Sequence, residues 1–148
     1  MEQKLKEIIQ FAEDNYPPKK FQHAMRVMCY TQEMCVEHGY CDDVELSALI
    51  VAVLHDIVED TPIQEETLPN WCLVNEVYGE RLSDTIMLLT HDKSKDTYDE
   101  YIDKIIRSNN ILGKLVKAAD MKDHLFQLDT LTPDRLNKYK PHIYKFIY

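Results

Sequence analysis

The sequence predicts an all-α protein, and two observations support this fold class. Apolar residues recur at the three- and four-residue spacing of a helix face, for example at Leu5, Ile8 and Ala12. The 148 residues include only three glycines and six prolines, too few for the many tight turns of a sheet-rich fold. Hydrophobic residues make up 45% of the chain, enough for a substantial core. We therefore expect one compact helical bundle over residues 1–148, without a linker or an internal repeat.

The first half of the chain predicts three helices. A helix over residues 2–15 ends before two prolines, and a second helix from about residue 20 to 38 ends before a glycine. The third helix, "VELSALIVAVLHDIVE" at 44–59, has Asp42 or Asp43 as its expected N-cap. Its second half is apolar on nearly every side, which predicts that it is the central, buried helix.

The second half of the chain predicts a loop and five further helices. Thr97 or Asp96 can cap the helix that begins at Tyr98, and Thr132 can open the last helix. The expected elements are a loop at 61–70 and helices at 71–78, 80–90, 98–109, 111–128 and about 132–140, with Gly79 and Pro141 as interruptions.

Charge and hydropathy restrict the function. A net charge of −9 argues against a broad surface for polymeric nucleic acid or anionic membranes, although a local cation would still permit a small anionic substrate. No apolar run approaches the roughly 18–20 residues of a membrane helix, and no secretory signal is evident. The four cysteines form no CxxC pair, which favours reduced thiols in a cytoplasmic protein. The aromatic C-terminus, "PHIYKFIY", is expected to pack on the domain or on a second copy in a homo-oligomer.

Residues 54–61, "LHDIVEDT", place a histidine and three acids at the end of the helix expected to be most buried. Burying charge is costly unless the group is paired or binds a metal ion. Residues four apart share a helix face, so His55 lies near Glu59 and Asp56 lies near Asp60. Close to a helix end, the adjacent His55 and Asp56 can both reach one ion, which then needs further ligands from elsewhere in the chain.

His23 and Asp120 are the candidates for those further ligands. His23 lies near the start of the second helix, and Asp120 follows apolar residues that predict an inward-pointing side chain. Asp120 has a second interpretation as the ion-pair partner of Lys117. Two imidazoles with two carboxylates suit Mn²⁺, Fe²⁺ or Zn²⁺ better than Ca²⁺. Four protein ligands leave two positions of an octahedral ion for water and substrate, as in a metal-assisted hydrolase.

These residues also resemble a known family. The His…His-Asp…Asp pattern in an all-α chain resembles the HD-domain phosphohydrolases. "HDIVEDT" is similar to the HDxxED motif of the RelA/SpoT-type hydrolase domain and the small alarmone hydrolases. The stretch "TYDEYIDKIIRSNNILGKLVKAADMKDHL" at 97–125 is similar to the Tyr-rich helix and the VKLADLxxN helix of the same family. The resemblance covers roughly residues 20–128.

The resemblance implies an HD-type bundle that holds one divalent ion, Mn²⁺ first and Fe²⁺ or Zn²⁺ as alternatives. Its implied ligands are His23, His55, Asp56 and Asp120, and its implied catalytic acids are Glu59 and Asp60. A carboxylate beside the ion can orient the attacking water or move its proton, and the sequence does not divide these roles between the two acids. The implied substrate is a nucleotide (pyro)phosphate, (p)ppGpp first. The substrate-binding candidates are Lys20, Arg26, Lys117 and His124.

Two departures from the family bear on the substrate. The family's Arg-Lys pair and glycine-containing loop before the first metal histidine are reduced here to "YPPKKF", and its asparagine after the metal aspartate is His124. Another nucleotide or phosphorylated metabolite is therefore an alternative substrate, and a non-catalytic, metal-stabilised regulatory module is an alternative of another class. A second His-Asp pair, His91-Asp92, lies in a polar loop and is not expected to bind the ion.

Overall fold

The all-α class is confirmed by a computed structural model, which describes residues 2–146. Helices dominate this part of the chain, and one short hairpin, β1 (Glu76–Val77) and β2 (Glu80–Arg81), interrupts them. Two 3-10 turns, Glu65–Thr67 and Tyr144–Phe146, complete the elements. The α-helices are α1 (Gln3–Asn15), α2 (Pro18–His38), α3 (Asp42–Leu54), α4 (Ile57–Asp60), α5 (Asn70–Val74), α6 (Leu82–Leu88), α7 (Tyr98–Arg107), α8 (Ile111–Phe126) and α9 (Pro133–Ile143).

The central position predicted for α3 is confirmed. Every residue from Ser47 to Leu54 is buried, because α1, α2, α6 and α8 all pack around this helix. The α2 helix lies against both α3 and α8. This packing brings together the start of α2, the end of α3 and the second half of α8. Within residues 2–146, no helix combines the length and the apolar character needed to cross a bilayer.

Two predicted helix starts are confirmed by hydrogen bonds. The Thr97 hydroxyl accepts from the backbone N–H of Glu100, whose carboxylate accepts in return from the Thr97 N–H. This reciprocal capping box fixes the start of α7. The Thr132 hydroxyl accepts from the backbone N–H of Arg135 and so fixes the start of α9. Both helices contribute side chains to the cavity described below.

The third helix is shorter than predicted. It ends at Leu54, and a turn at His55 and Asp56 separates it from the single turn of α4. Asp56 has φ −104° and ψ 1°, the sparsely populated backbone region that occurs often at active sites. The N-cap is Cys41, and Asp42 and Asp43 lie instead in the first turn, where negative charge is favoured by the helix dipole.

A hairpin replaces the end of the helix predicted at 71–78. The α5 helix stops at Val74, and β1 pairs with β2 in an antiparallel register, Val77 opposite Glu80. Tyr78 and Gly79 have φ values of 53° and 81°, the left-handed backbone of a tight two-residue turn. Consequently α6 begins at residue 82, two residues later than predicted.

Pro141 does not end the last helix, which continues to Ile143. A proline this close to a helix end removes one hydrogen bond to the preceding turn, and only two helical residues follow it. Of the aromatic C-terminal segment, Phe146 is buried in the core while Tyr144 is exposed. The remaining two residues of that segment, 147 and 148, lie outside the described residues.

Candidate metal centre

The four side chains predicted as metal ligands meet at one point. They come from α2, the turn after α3, and α8, and one ligand atom from each lies within 4.8 Å of the others: His23, His55, Asp56 and Asp120. The Nε2 atom of His23 lies 2.9 Å from Oδ1 of Asp120. The Nε2 atom of His55 lies 3.2 Å from Oδ2 of Asp56. Two nitrogens and two oxygens therefore converge, as the sequence predicted.

The turn after α3 explains how two adjacent residues serve one centre. In a continuous helix, the side chains of His55 and Asp56 would point about 100° apart. The backbone leaves the helical conformation at Asp56, which allows its carboxylate to lie beside the His55 ring. The break in the helix is therefore part of the site.

Hydrogen bonds on the outer side of each ring orient the two histidines. Nδ1 of His55 donates to the backbone carbonyl of Ala52, 2.7 Å away. Nδ1 of His23 donates to Oδ2 of Asp123, 2.6 Å away. Both rings therefore present Nε2 to the centre. Sequence analysis missed Asp123, although its position three residues after Asp120 places both on one face of α8.

The donor atoms fit a divalent ion. Among the described residues, Nε2 of His23, Nε2 of His55 and Oδ1 of Asp120 are buried at ion-pair distance from one another, but their angles do not suit hydrogen bonds. Buried polar atoms normally have a hydrogen-bond partner, so three atoms without one that face one point call for a ligand. Mixed imidazole and carboxylate donors are those that Mn²⁺, Fe²⁺ and Zn²⁺ accept in proteins.

The centre is strongly polarised. Burial disfavours the charged form of His23, but the carboxylates of Asp120, Asp123 and Asp56 outweigh burial and raise its pKa to about 11. Burial is outweighed in the same way at His55, where Asp56 and Asp120 raise the pKa to about 10. The carboxylates therefore favour the protonated form of both imidazoles, and a metal ion must compete with those protons.

Lys117 pairs with Asp120, one of the candidate ligands. Its Nζ donates to Oδ2 of Asp120 over 2.8 Å, which leaves Oδ1 to face the centre. The lysine is only 7% exposed, and its ammonium lies 5.0 Å from the centre of the Tyr101 ring. Burial alone would lower the pKa of Lys117, but the Asp120 charge keeps it well above the ordinary value. The ion pair that the sequence offered as a second interpretation of Asp120 is therefore present, and it uses only one of the two Asp120 oxygens.

A cavity of about 280 Å³ opens beside the four candidate ligands. Two of the ligands, Asp56 and Asp120, lie in its wall together with Glu59 and Asp60. Five basic side chains line the same wall, although the whole chain has a net charge of −9. They are Lys20, Lys93, Lys117, Arg135 and Lys138. The remaining wall is aromatic and is formed by His91, Tyr98, Tyr101, His124 and Tyr139.

Comparison with known proteins gives this arrangement a family. The model of the HD domain matches residues 21–139 of the chain. The chain belongs to the HD-domain family. HD domains bind divalent metal ions, and the four converging side chains are the candidate site for that ion here. A comparison with curated protein sequences gives no match.

A solved structure shares the fold of this HD domain. It is a metazoan orthologue of SpoT, described as hydrolysing ppGpp and acting in starvation responses. The two chains superpose with a TM-score of 0.68 at 24% sequence identity, over 99% of this chain and 84% of the other. At that identity the likeness establishes the fold alone.

The two acids of the HD domain predicted to be catalytic have different surroundings. Oε1 of Glu59 accepts from the backbone N–H of His91 over 2.7 Å. Glu59 is exposed, but neighbouring atoms desolvate its carboxyl group enough to raise its pKa above the ordinary value, against the opposing effect of that hydrogen bond. Asp60 is less exposed than Glu59, with a side chain 18% accessible, and its Oδ2 lies 3.3 Å from Nζ of Lys20 in the cavity wall. One acid is thus held by the backbone and the other by a cation.

The predicted substrate-binding residues divide into two groups. Lys20, Lys117 and His124 line the cavity of the HD domain. The His124 ring stacks on Tyr139, with centroids 5.1 Å apart and planes 12° apart, and its Nε2 lies 3.1 Å from Oδ1 of Asp120. Arg26 lies outside this wall and contacts Asp123 instead.

Sequence analysis missed the contribution of α9 to the HD-domain cavity. Arg135, Lys138 and Tyr139 all reach the wall from this helix. A basic helix near the C-terminus was visible in the sequence, but nothing local indicated which surface it covers. His91 was expected not to be a ligand, and the structure places it in the wall, where Nε2 donates to the carbonyl of Asp96.

Proposed function

We propose that this protein is a metal-dependent phosphohydrolase that removes phosphate or pyrophosphate from a small nucleotide. The first candidate substrate is (p)ppGpp, and the first candidate ion is Mn²⁺. One observation carries the proposal: a cluster of two imidazoles and two carboxylates adjoins a cavity whose wall holds five Lys and Arg side chains. Carboxylates alone would repel an anionic substrate, whereas these cations hold phosphoryl oxygens against the cluster.

The ion would be held by His23, His55, Asp56 and Asp120. A divalent ion in such a site lowers the pKa of water and offsets negative charge on a phosphoryl oxygen. The donor atoms are preorganised for this ion by hydrogen bonds. The hydrogen bonds to Ala52 and Asp123 hold both Nε2 atoms toward the centre, and Lys117 holds Asp120 so that Oδ1 is directed there.

Proton transfer falls to Glu59 in this proposal. A partly desolvated carboxyl group with a raised pKa, such as that of Glu59, can take a proton from the attacking water and return it to the leaving group. The His91 N–H fixes Oε1, which leaves the other oxygen of Glu59 for this task. Asp60, held by Lys20, is suited to orient the water.

Phosphate binding falls to the basic side chains. Burial, together with the nearby charges of Lys117 and Lys93, lowers the pKa of Lys138. A cation that is destabilised by other cations gains most from an anionic ligand, so this part of the wall is the expected position of the phosphate groups. Lys138 also lies 4.5 Å from the centre of the Tyr98 ring, which holds its position over the cavity.

The surroundings of His124 support a second candidate substrate beside (p)ppGpp. Its ring lies between His23 and Tyr139, with centroid distances of 4.7 Å and 5.1 Å, and is thereby fixed in the wall. An imidazole offers one donor and one acceptor on opposite sides of the ring, whereas an amide offers both from a single group. Contacts to the ribose or base therefore differ from those of the family, and a simpler nucleotide or another phosphorylated metabolite is the second candidate.

A substrate screen tests the proposal. Purified protein loaded with Mn²⁺, Fe²⁺ or Zn²⁺ is incubated with ppGpp, GDP, a nucleoside monophosphate and a generic phosphate ester, and released phosphate and pyrophosphate are measured. Turnover that disappears in Glu59→Gln supports a hydrolase. Metal binding without turnover of any phosphate compound would favour a non-catalytic, metal-stabilised module.

The four cysteines are unpaired in the part of the chain that the structure describes, which supports the proposed cytoplasmic location.

A further inference from the structure

We propose that Arg26 and Asp123 act as a pair that positions His23 for the metal ion. Arg26 then has a positioning role rather than the substrate-binding role that its place near His23 suggested. The inference rests on the metal site of the proposed function, but it does not depend on the substrate or on turnover.

The contacts of Asp123 are complete and buried. Asp123 is 1% exposed. Its Oδ2 accepts from Nδ1 of His23 over 2.6 Å, and its Oδ1 accepts from Nε of Arg26 over 2.7 Å. Nη2 of Arg26 adds a second contact to Oδ2 at 3.1 Å. The guanidinium thus holds both oxygens of the carboxylate in the two-pronged geometry that fixes its orientation.

The two ligand histidines differ in what holds them. His55 donates to a backbone carbonyl three residues earlier, so the fold itself sets its ring. His23 donates to a side chain of another helix, so its ring orientation depends on the position of Asp123. A carboxylate on the outer nitrogen also makes an imidazole a stronger metal donor than a carbonyl does. His23 is therefore the ligand whose strength a second residue can change.

Arg26 has a clear reason to be present. A buried carboxylate with one imidazole partner would be only partly compensated, and removing one member of a buried ion pair is strongly destabilising. On α2, Arg26 is three residues after His23; on α8, Asp123 is three residues after Asp120. Each helix therefore carries a candidate ligand and a residue of the positioning pair within one turn. The Arg26–Asp123 contact joins α2 to α8 beside the centre.

The competing role for Arg26 makes a different prediction. Its exposed edge borders a second cavity of about 380 Å³, which Lys20, His124 and Arg135 also line. If Arg26 bound substrate there, its removal would raise KM and leave the metal affinity unchanged. If it positions His23, the metal affinity falls even when no substrate is present.

The test measures metal affinity directly. The dissociation constant for Mn²⁺ is determined by calorimetry or competition with a chelator for wild type, Arg26→Met, Asp123→Asn and the double variant. Each single variant should bind about 10- to 100-fold more weakly. The double variant should lose less than the product of the two losses, because both changes break the same contact.

A matched control lies between the same two helices. Nζ of Lys122 on α8 is 3.6 Å from Oε2 of Glu33 on α2, on the exposed surface away from the centre. Glu33→Gln should leave the dissociation constant unchanged. Equal metal losses in Glu33→Gln and Arg26→Met would show a general effect of loosening the two helices and would overturn the proposal.

Two further outcomes decide the question. Arg26→Lys keeps the charge without the two-pronged contact, and it replaces Arg26→Met if that variant does not fold. Metal affinities within twofold of wild type in both Arg26→Lys and Asp123→Asn would overturn the proposal, as would a raised KM in an Arg26 variant with unchanged metal affinity. A wild type that binds the ion but hydrolyses no phosphate compound would refute the proposed function and leave this test valid.

Discussion

Replacing Asp120 by asparagine should destabilise the metal-free protein by about 3–5 kcal/mol, the usual cost of breaking a buried ion pair. Lys117 and Asp120 are 7% and 4% exposed, and their Nζ and Oδ2 atoms are 2.8 Å apart. The substitution keeps the volume of the side chain but leaves the Lys117 ammonium without its counter-charge. For a chain of this length, the loss corresponds to a fall in Tm of about 6–20 °C.

The double variant Lys117→Met/Asp120→Asn tests the cause of that loss. Methionine keeps most of the apolar stem of Lys117 and removes the charge, so the double variant should recover at least half of the stability lost in Asp120→Asn. The free energy of unfolding is measured by chemical denaturation in the presence of a chelator, since a bound ion would add its own stabilisation. If the double variant recovers no stability, the unpaired lysine is not the source of the stability lost in Asp120→Asn.

A surface ion pair provides the control. Lys4 and Glu7 are 3.0 Å apart on α1, with side chains 35% and 53% exposed. Because solvent screens such a pair, Glu7→Gln should change the free energy of unfolding by less than about 1 kcal/mol. If Asp120→Asn costs no more than Glu7→Gln, the buried pair contributes nothing to stability and the reasoning is refuted.

Four further predictions concern the ion and the reaction. Asp56→Ala should lose the ion because one of four ligands is gone, whereas His91→Ala should keep it; elemental analysis of the purified variants distinguishes them. Glu59→Gln and Asp60→Asn should keep the ion and lower kcat by about 10²- to 10⁴-fold. Normal rates in both variants would show that the two acids are only charges at a helix end and take no part in catalysis. Metal affinity should rise with pH, since the ligand imidazoles hold protons up to pKa values of about 10 and 11 and the ion competes with these protons; an affinity independent of pH would contradict this. His124→Asn should increase the ratio of kcat/KM for ppGpp to that for GDP, and a strong native preference that the substitution leaves unchanged would show that this position does not control the substrate.

The ligand cluster could be predicted from sequence because its signals are local. His55 and Asp56 follow an apolar helix directly, and Asp120 interrupts another apolar stretch, so each acid needed a partner inside the protein. The burial of α3 on all sides was visible for the same reason. Helix periodicity and the small number of glycines and prolines were sufficient for the all-α class.

The rest of the cavity depends on contacts between distant segments. The position of α9 against α8 brings Arg135 and Lys138 to the wall, and no short sequence pattern encodes that placement. The hairpin at 76–81 was missed because its turn requires a positive φ at Tyr78, a conformation that bulky residues seldom adopt. Asp123 could have been identified from the sequence. It lies three residues after Asp120, just as Arg26 lies three residues after His23.

The convergence of α2, the turn after α3 and α8 on one point would also make a bound ion a cross-link of the folded chain. The ligands at residues 23 and 120 belong to opposite ends of the sequence, so an unfolded chain cannot offer the same site. Free ion at 100 times its dissociation constant would therefore add about 2.7 kcal/mol to the free energy of unfolding. In a cell, the supply of this metal would then influence the abundance of the protein as well as its activity, because chain that lacks the ion unfolds more often and is exposed to proteases.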